Sequence, residues 1–397
     1  MRSSPLPTAA FARLLLGAMG IAALAPLAAC GGNVVLDSKS NGDGNGNGGE
    51  GGSGGADGGG GSGGAGPCVP TVGEGQTLKH VCLPSCPPEG EEGAALSPLV
   101  ESDSCDEWCC FSTWISSIEC GPILEGGKCC FDLTTKSEEI CMGRPFVAGG
   151  AERPRARVAR PRAGDGWADS LAPDVTLLDK DTRSALSASW LRDALFEHAS
   201  IASFARFAME LLAVGAPADI VAEAQQAMGD EVGHARSCFG LAAAYGRASV
   251  GPGPLDVAGC ELRARLADIA EAAAEEGCVG ETLSALSARA ALAGARDPAV
   301  RAALERIAAE EEAHAALSWR FVAWALAQGD AETTARVRRV FEELRGVPRA
   351  DAADPPGIDT TAWRAHGRLP AAEQQDVFRR GLAEVVHPCA TALLAST

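Results

Sequence analysis

Two short patterns carry the chemistry of this chain: Glu231-Val232-Gly233-His234 and Glu311-Glu312-Ala313-His314, both set in Ala-rich stretches of helical period. A Glu and a His three residues apart stand on one helix face, with Cβ atoms about 5–6 Å apart. Both side chains can then reach one metal ion. Two such helices face to face could hold a pair of ions, provided that carboxylates from two further helices complete the set. Glu197 and Glu281 supply those carboxylates in the right order along the chain.

The elements that must position these residues are legible from hydrophobic periodicity. From Thr182 onward the chain is rich in Ala, Leu, Glu and Arg. A first helix carries Ala194, Glu197, Ile201, Phe204, Ala208 and Leu211 at alternating spacings of three and four. Gly215-Ala216-Pro217 ends it, with Pro217 suited to the first turn of the next. The second helix places Glu231 and His234 in a stripe with Ile220, Ala224, Ala227, Cys238 and Leu241. A Glu in such a buried stripe needs a partner, or burial drives it to its neutral form. The Gly- and Pro-containing stretch Tyr245 to Gly259 is long enough to cross the height of a bundle. A third helix is expected over Leu262 to Gly294, and Asp297-Pro298 caps a fourth that carries Glu311, His314, Ser318 and Phe321. Asp330 to Leu344 and Ala371 to Leu394 read as further helices.

The two halves align as a degenerate repeat. Glu197 lies over Glu281, and Asp230-Glu231-x-x-His234 over Glu310-Glu311-x-x-His314. Glu276 also falls on a stripe of the third helix, and the repeat favours Glu281 over it. His198 points about 100° away from Glu197 around the helix and reads as a non-ligand. His366 and His387 have no carboxylate at ligand spacing and read as structural.

The pattern Glu197, Glu231-x-x-His234, Glu281, Glu311-x-x-His314 resembles the ferritin-like di-iron carboxylate superfamily over residues 183–330. The fold class expected on that resemblance is mainly α: a ferritin-like four-helix bundle at 181–397 with extra C-terminal helices, preceded by a small disulfide-rich irregular module. The resemblance implies two iron ions, with manganese as the alternative. Glu197 and Glu281 would be terminal ligands, Glu231 and Glu311 bridging ones, and His234 and His314 would each give one nitrogen. An oxygen-rich shell suits iron or manganese over zinc. Such centres act on dioxygen or peroxide. Tyr245 is the only tyrosine and lies roughly 16 Å along the helix from His234, which disfavours a stored tyrosyl radical.

The rest of the chain sets the compartment. Arg2 and Arg13 and the apolar stretch Leu14 to Leu27 read as a signal segment, too short to span a bilayer. It ends in Leu27-Ala28-Ala29-Cys30-Gly31, which resembles a bacterial lipoprotein signal: residues 1–30 would be the signal peptide, with Cys30 lipidated. Residues 31–66 are a Gly-rich tether with a reach of roughly 30–35 Å. Residues 67–145 carry Cys68, Cys82, Cys86, Cys105, Cys109, Cys110, Cys120, Cys129, Cys130 and Cys141, an even number in an exported chain. They read as a disulfide framework of open pairing and unknown protein partner. Residues 146–180, with Arg153, Arg155, Arg157, Arg160 and Arg162 among Pro and Ala, read as a solvated linker, and a contact of those arginines with lipid headgroups or the bundle is the sharper alternative. The net charge of −18 argues against nucleic-acid binding.

These readings converge on a lipid-anchored protein of the cell envelope, at the outer membrane, with an oxidoreductase of ferroxidase, peroxidase or oxidase type as the leading expectation. A non-catalytic envelope scaffold, with a structural metal site or none, stays open beside it, and the sequence leaves the organic substrate undefined.

Overall fold

The computed structural model describes residues 8–21, 68, 70–72, 76–88, 90–100, 102–105, 109–148, 155–164, 166–344 and 354–396. Cys30 and the tether 31–66 lie outside the described residues. The protein is mainly helical, with a small disulfide-rich N-terminal region, and its contacts divide it into two compact units.

The smaller unit comprises the described residues of Leu24–Leu99 together with Ile115–Lys136. The expectation of an irregular module is corrected here, because its centre is an antiparallel sheet. Strand β1 (Thr77–Leu83) pairs with β4 (Lys128–Cys141) in a register running from Thr77↔Thr135 to Leu83↔Cys129. β3 (Cys109–Glu125) joins β4 across Gly126-Gly127, both at positive φ, as a two-residue hairpin turn demands. The Gly, Pro and Cys content masked a run of strand formers: Phe131, Leu133, Thr134 and Thr135 are all buried in β4. Cys82 faces Cys130 across the β1–β4 register and is bonded to it, Cys86 is bonded to Cys129, and Cys68 to Cys120. The adjacent cysteines 129 and 130 therefore bond to different partners. The side chains of Cys105, Cys109, Cys110 and Cys141 lie outside the described residues. Helix α2 (Glu92–Val100) follows β1; β2 (Ser102–Cys105) and the start of β3, paired from Ser102↔Thr113 to Cys105↔Cys110, belong to the larger unit.

The larger unit is helical. Helix α3 (Lys180–Ala213) starts where the Asp179 side chain accepts bonds from the Thr182 amide and hydroxyl, at 2.8 and 2.6 Å. It turns at Gly215 into α4 (Ala218–Gly246), with Pro217 one place earlier than expected, at the N-cap. α5 (Leu266–Ala272) begins four residues later than the period suggested, because Arg263 is drawn away: its amide donates to Glu210 at 3.0 Å. α5 continues through a π-helical segment, Ala273–Glu281, into α6 (Thr282–Gly294). α7 (Pro298–Ala327) is capped by Asp297, which accepts from the amides of Ala299 and Val300, with Pro298 in the first turn. α3 packs on α4, α6 and the π segment pack on α7, and α4 packs on α7.

Further helices enclose this core. α8 (Ala331–Glu343) is capped by Asp330 and held to α7 by Phe341 stacked on Trp319, 5.5 Å between ring centres. α9 (Thr360–Ala365) and α10 (Ala371–Gly381) lead through a second π segment, Leu382–Val386, into α11 (His387–Ala395). At the other end of the chain, α1 (Thr8–Ala18) buries Phe11, Ala12 and Leu15 in the same core. Its Thr8 hydroxyl donates to Glu384 at 2.6 Å. Part of the apolar N-terminal stretch is thus a packed helix in the full chain. Among the described residues no helix is long and apolar enough to cross a membrane.

The described part of 146–180 is not a solvated spacer. β5 (Val147–Ala148) pairs with β6 (Arg155–Ala156), and β7 (Pro161–Ala163) pairs with β8 (Val250–Pro252) in the crossover connection. Arg157 donates to the carbonyls of Asp256 and Ala258 at 3.2 and 2.7 Å and pairs with the Asp256 carboxylate at 3.1 Å. The connection between α4 and α5 offers a carboxylate and carbonyls to this cationic segment, and that docks it.

Candidate metal centre

Four helical segments each send a carboxylate to one place. Glu197 comes from α3, Glu231 and His234 from α4, Glu281 from the end of the π segment, and Glu311 and His314 from α7. All six are buried, none above 8% exposed. Their ligand atoms form two groups, each with all atoms within 4.8 Å of one another: Glu197, Glu231, His234 and Glu311 in one, Glu231, Glu281, Glu311 and His314 in the other. Glu231 and Glu311 belong to both. Each remaining half holds one carboxylate and one imidazole.

The imidazoles have a defined sense. The Nδ1 atom of His234 lies 3.3 Å from Glu311 and 3.6 Å from both Glu197 and Glu231. Its Nε2 faces Glu310 at 2.7 Å. The His314 Nδ1 lies 3.4 Å from Glu231, and its Nε2 faces Asp230 at 3.4 Å. Each acid that precedes a shared Glu therefore serves the histidine of the opposite helix. A carboxylate on the outer nitrogen fixes the ring and keeps Nδ1 free to ligate. Sequence reasoning aligned Asp230 with Glu310 but gave them no role; an acid at the same register in both repeats was the available signal.

One oxygen each of Glu231 and Glu311, both oxygens of Glu281, and Nδ1 of His234 and of His314 are buried without a hydrogen bond. Buried polar atoms in folded proteins are normally satisfied. Six orphaned donor atoms aimed at a common space, four oxygens and two nitrogens, fit an oxygen-preferring divalent pair.

Electrostatics of the cluster point the same way. Burial, with the charge of Glu231 behind it, raises Glu197 well above the usual carboxylate range. Burial and then the charge of Glu311 do the same to Glu281. Burial opposes charge on the imidazoles too, but the carboxylates outweigh it. Contacts with Glu197, Glu231, Glu310 and Glu311 raise His234 well above its ordinary value, and Asp230 and Glu231 hold His314 up to about 10. Glu231 moves in the opposite sense: burial would raise it, and the two histidines pull it low. Four of the six groups are thus shifted toward their protonated forms.

Arg144 is a member that sequence reasoning missed, since it falls at the end of the Cys-rich segment. Its guanidinium is buried, with Nε 3.6 Å from Glu281 and Nη2 donating to Ser318 at 2.8 Å, and it lies 4.7 and 4.5 Å from the rings of Phe204 and Phe207. The Gly143 amide donates to the Gly280 carbonyl at 2.9 Å, and Ser200 donates to the Arg144 carbonyl at 2.9 Å. Glu276 is taken up by Arg206 at 3.1 Å, Arg263 at 3.2 Å and Arg144 at 3.7 Å, and stands outside both ligand groups.

The other candidates lie apart. His198 packs edge-on to Trp167 with ring centres 5.0 Å apart, and burial lowers its pKa. The His366 Nδ1 is bonded to the Tyr245 hydroxyl at 2.7 Å. His387 is half-buried and outside the ligand groups. Cys238, Cys260, Cys278 and Cys389 are free thiols. A third gathering, His80, Cys82, Glu125 and Cys130, has two exposed members, His80 and Glu125, and its two sulfurs are joined in a disulfide, which removes them as thiolate ligands.

Set against family models, curated proteins and solved structures, the chain finds no match in any of the three comparisons.

Proposed function

We propose that the helical unit is a ferritin-like four-helix bundle holding two iron ions, or two manganese ions, and that the protein is an envelope-anchored oxidoreductase of ferroxidase, peroxidase or oxidase type. One observation carries this reading: two ligand groups of matching make-up share Glu231 and Glu311. A shared carboxylate between neighbouring groups is what bridging two ions requires. Four carboxylates would balance the charge of two divalent ions. Such a pair, when bound, supplies redox chemistry toward dioxygen or peroxide.

The chain's own residues do the rest. Glu197 and Glu281 would close the two ends of the site, and Glu310 and Asp230 hold the outer proton of each imidazole. Arg144 balances Glu276 and Glu281 from the side of the π segment. Phe204 covers the His314 ring, 5.0 Å between centres, and keeps water from it. The lipid anchor belongs to the same proposal: acylated Cys30 would tether the molecule at the outer membrane.

Iron loading under anaerobic conditions followed by elemental analysis tests the site. Two ions per chain are expected, and both are lost from a Glu231→Ala, Glu311→Ala double variant; unchanged metal content in that variant ends the idea. Admitting air to the ferrous protein should then consume oxygen and raise a near-ultraviolet band of oxidised iron. Two bound ions with neither response would leave a scaffold with a structural metal. For the anchor, intact-mass analysis of membrane-extracted protein should show acylation at Cys30, and Cys30→Ala should abolish it.

A further inference from the structure

A cavity of about 490 Å³ opens beside Glu197 and Cys238, on the flank of the metal centre. Small-molecule sites occupy roughly 300–1,000 Å³ and are lined mostly by apolar groups with a few fixed polar ones. The walls here are the hydrocarbon and ring surfaces of Trp190, Leu304, Ile307, Trp363 and Phe378. Polar groups form the minority of the lining: Ser284, Ser287, Gln374 and Gln375 are among them, and the Gln374 amide donates to the Ser287 hydroxyl at 3.1 Å.

Glu197 apart, charge in the lining cancels. Asp193 is bound through both oxygens to Arg368, with one contact at 3.2 Å, and the Arg368 guanidinium lies 4.9 Å from the Trp190 ring. Arg192 and Asp354 add one charge of each sign. Glu197 is the remaining acid, and it faces the metal centre.

The roof of the cavity comes from α9, α10 and the turn between them, outside the 183–330 segment that carries the ligands. It is fastened in place: the Arg296 amide donates to the Ala365 carbonyl at 2.7 Å, and the Trp363 indole to the Leu369 carbonyl at 3.2 Å. A centre that handled only ferrous ions or peroxide would have no use for a chamber of this size, walled in part by Trp190, Trp363 and Phe378, at its flank.

We propose that this cavity binds an uncharged, largely apolar organic molecule beside Glu197, making an organic compound the substrate of the di-metal site. The inference deepens the proposed function and rests on it for the nature of the neighbouring ions. The test uses the full-length protein loaded with manganese(II), and 2-naphthol as a neutral two-ring probe. The probe should quench tryptophan emission on binding, and its proton resonances should be broadened by the paramagnetic ions. Ala288→Phe fills the cavity from α6 without touching a ligand; it should weaken probe binding at least ~tenfold while manganese content and helicity stay unchanged. Gln374→Ala, which leaves the volume open, should weaken it less. Equal affinity in wild type and Ala288→Phe would overturn the proposal, as would binding without broadening in manganese-loaded protein. Should the wild type take up no manganese, the manganese form of the di-metal reading fails instead, and tryptophan quenching in the wild type and the two variants still decides whether the cavity is a binding site.

Discussion

At the scale of single residues, the site depends as much on the acids behind the ligands as on the ligands. His234 and His314 present Nδ1 inward only because Glu310 and Asp230 occupy their outer nitrogens from the opposite helices. Replacing Asp230 by Asn and Glu310 by Gln keeps the size but lets each ring lose its preferred tautomer. Metal affinity should fall about 10–100-fold for each change. Competition with a chromophoric chelator measures this, and helicity by circular dichroism should be unaltered. The closer contact, 2.7 Å at Glu310 against 3.4 Å at Asp230, predicts the larger loss for Glu310→Gln.

At the scale of elements, the decisive feature is the π-helical turn from Ala273 to Glu281. On a regular α-helix, Glu276 and Glu281 would point about 140° apart. The wider turn lets both side chains lie almost wholly inside, one among arginines and one at the metal centre. Gly277 makes this possible: a Cβ there would stand 2.2 Å from the Ser318 hydroxyl and 2.6 Å from an Arg144 nitrogen. Gly277→Ala should therefore cost about 1–3 kcal/mol of stability. It should also loosen metal binding by displacing Arg144, and urea unfolding with chelator competition would register both. An unchanged midpoint and affinity would mean that Arg144 moves aside freely. This element marks where sequence reading stops. The four ligand-bearing helices, the Asp297 cap of α7 and the pairing of Glu197 with Glu281 in the repeat follow from period and capping chemistry. A π turn leaves no such trace, because a fixed 3.6-residue period places Glu276 and Glu281 on rival stripes and forces a choice. Arg144 was equally hidden, since it reaches the centre from 137 residues before Glu281 on a strand of chain with no helical period. The sheet of the smaller unit was obscured by composition, its strand formers diluted among Cys and Gly.

At the scale of the whole molecule, six ionisable groups sealed inside an acidic protein tie folding to protons and metal together. A proton that the folded chain binds more tightly than the unfolded chain stabilises the fold below the unfolded pKa, and this stabilisation disappears as pH climbs through the folded pKa. His314, moved from 6.5 to about 10, contributes fully below pH 6.5 and loses its contribution between there and about pH 10. His234, Glu197 and Glu281 are all raised and act in the same sense, the two acids from their ordinary value of 4.5 upward. Glu231, held low, acts in the opposite sense, and its contribution is lost only as pH falls into the acid range. Metal-free protein should therefore melt at progressively lower temperature from pH 6.5 to 10. Bound ions replace the protons, so loaded protein should show little of this slope, and loading near neutral pH should release protons to the buffer. Melting curves of both forms across this range, with calorimetric loading in two buffers of different ionisation enthalpy, measure the two effects. Parallel pH profiles for the loaded and metal-free forms, with no buffer dependence of the loading heat, would show that the metal does not enter the place the protons hold.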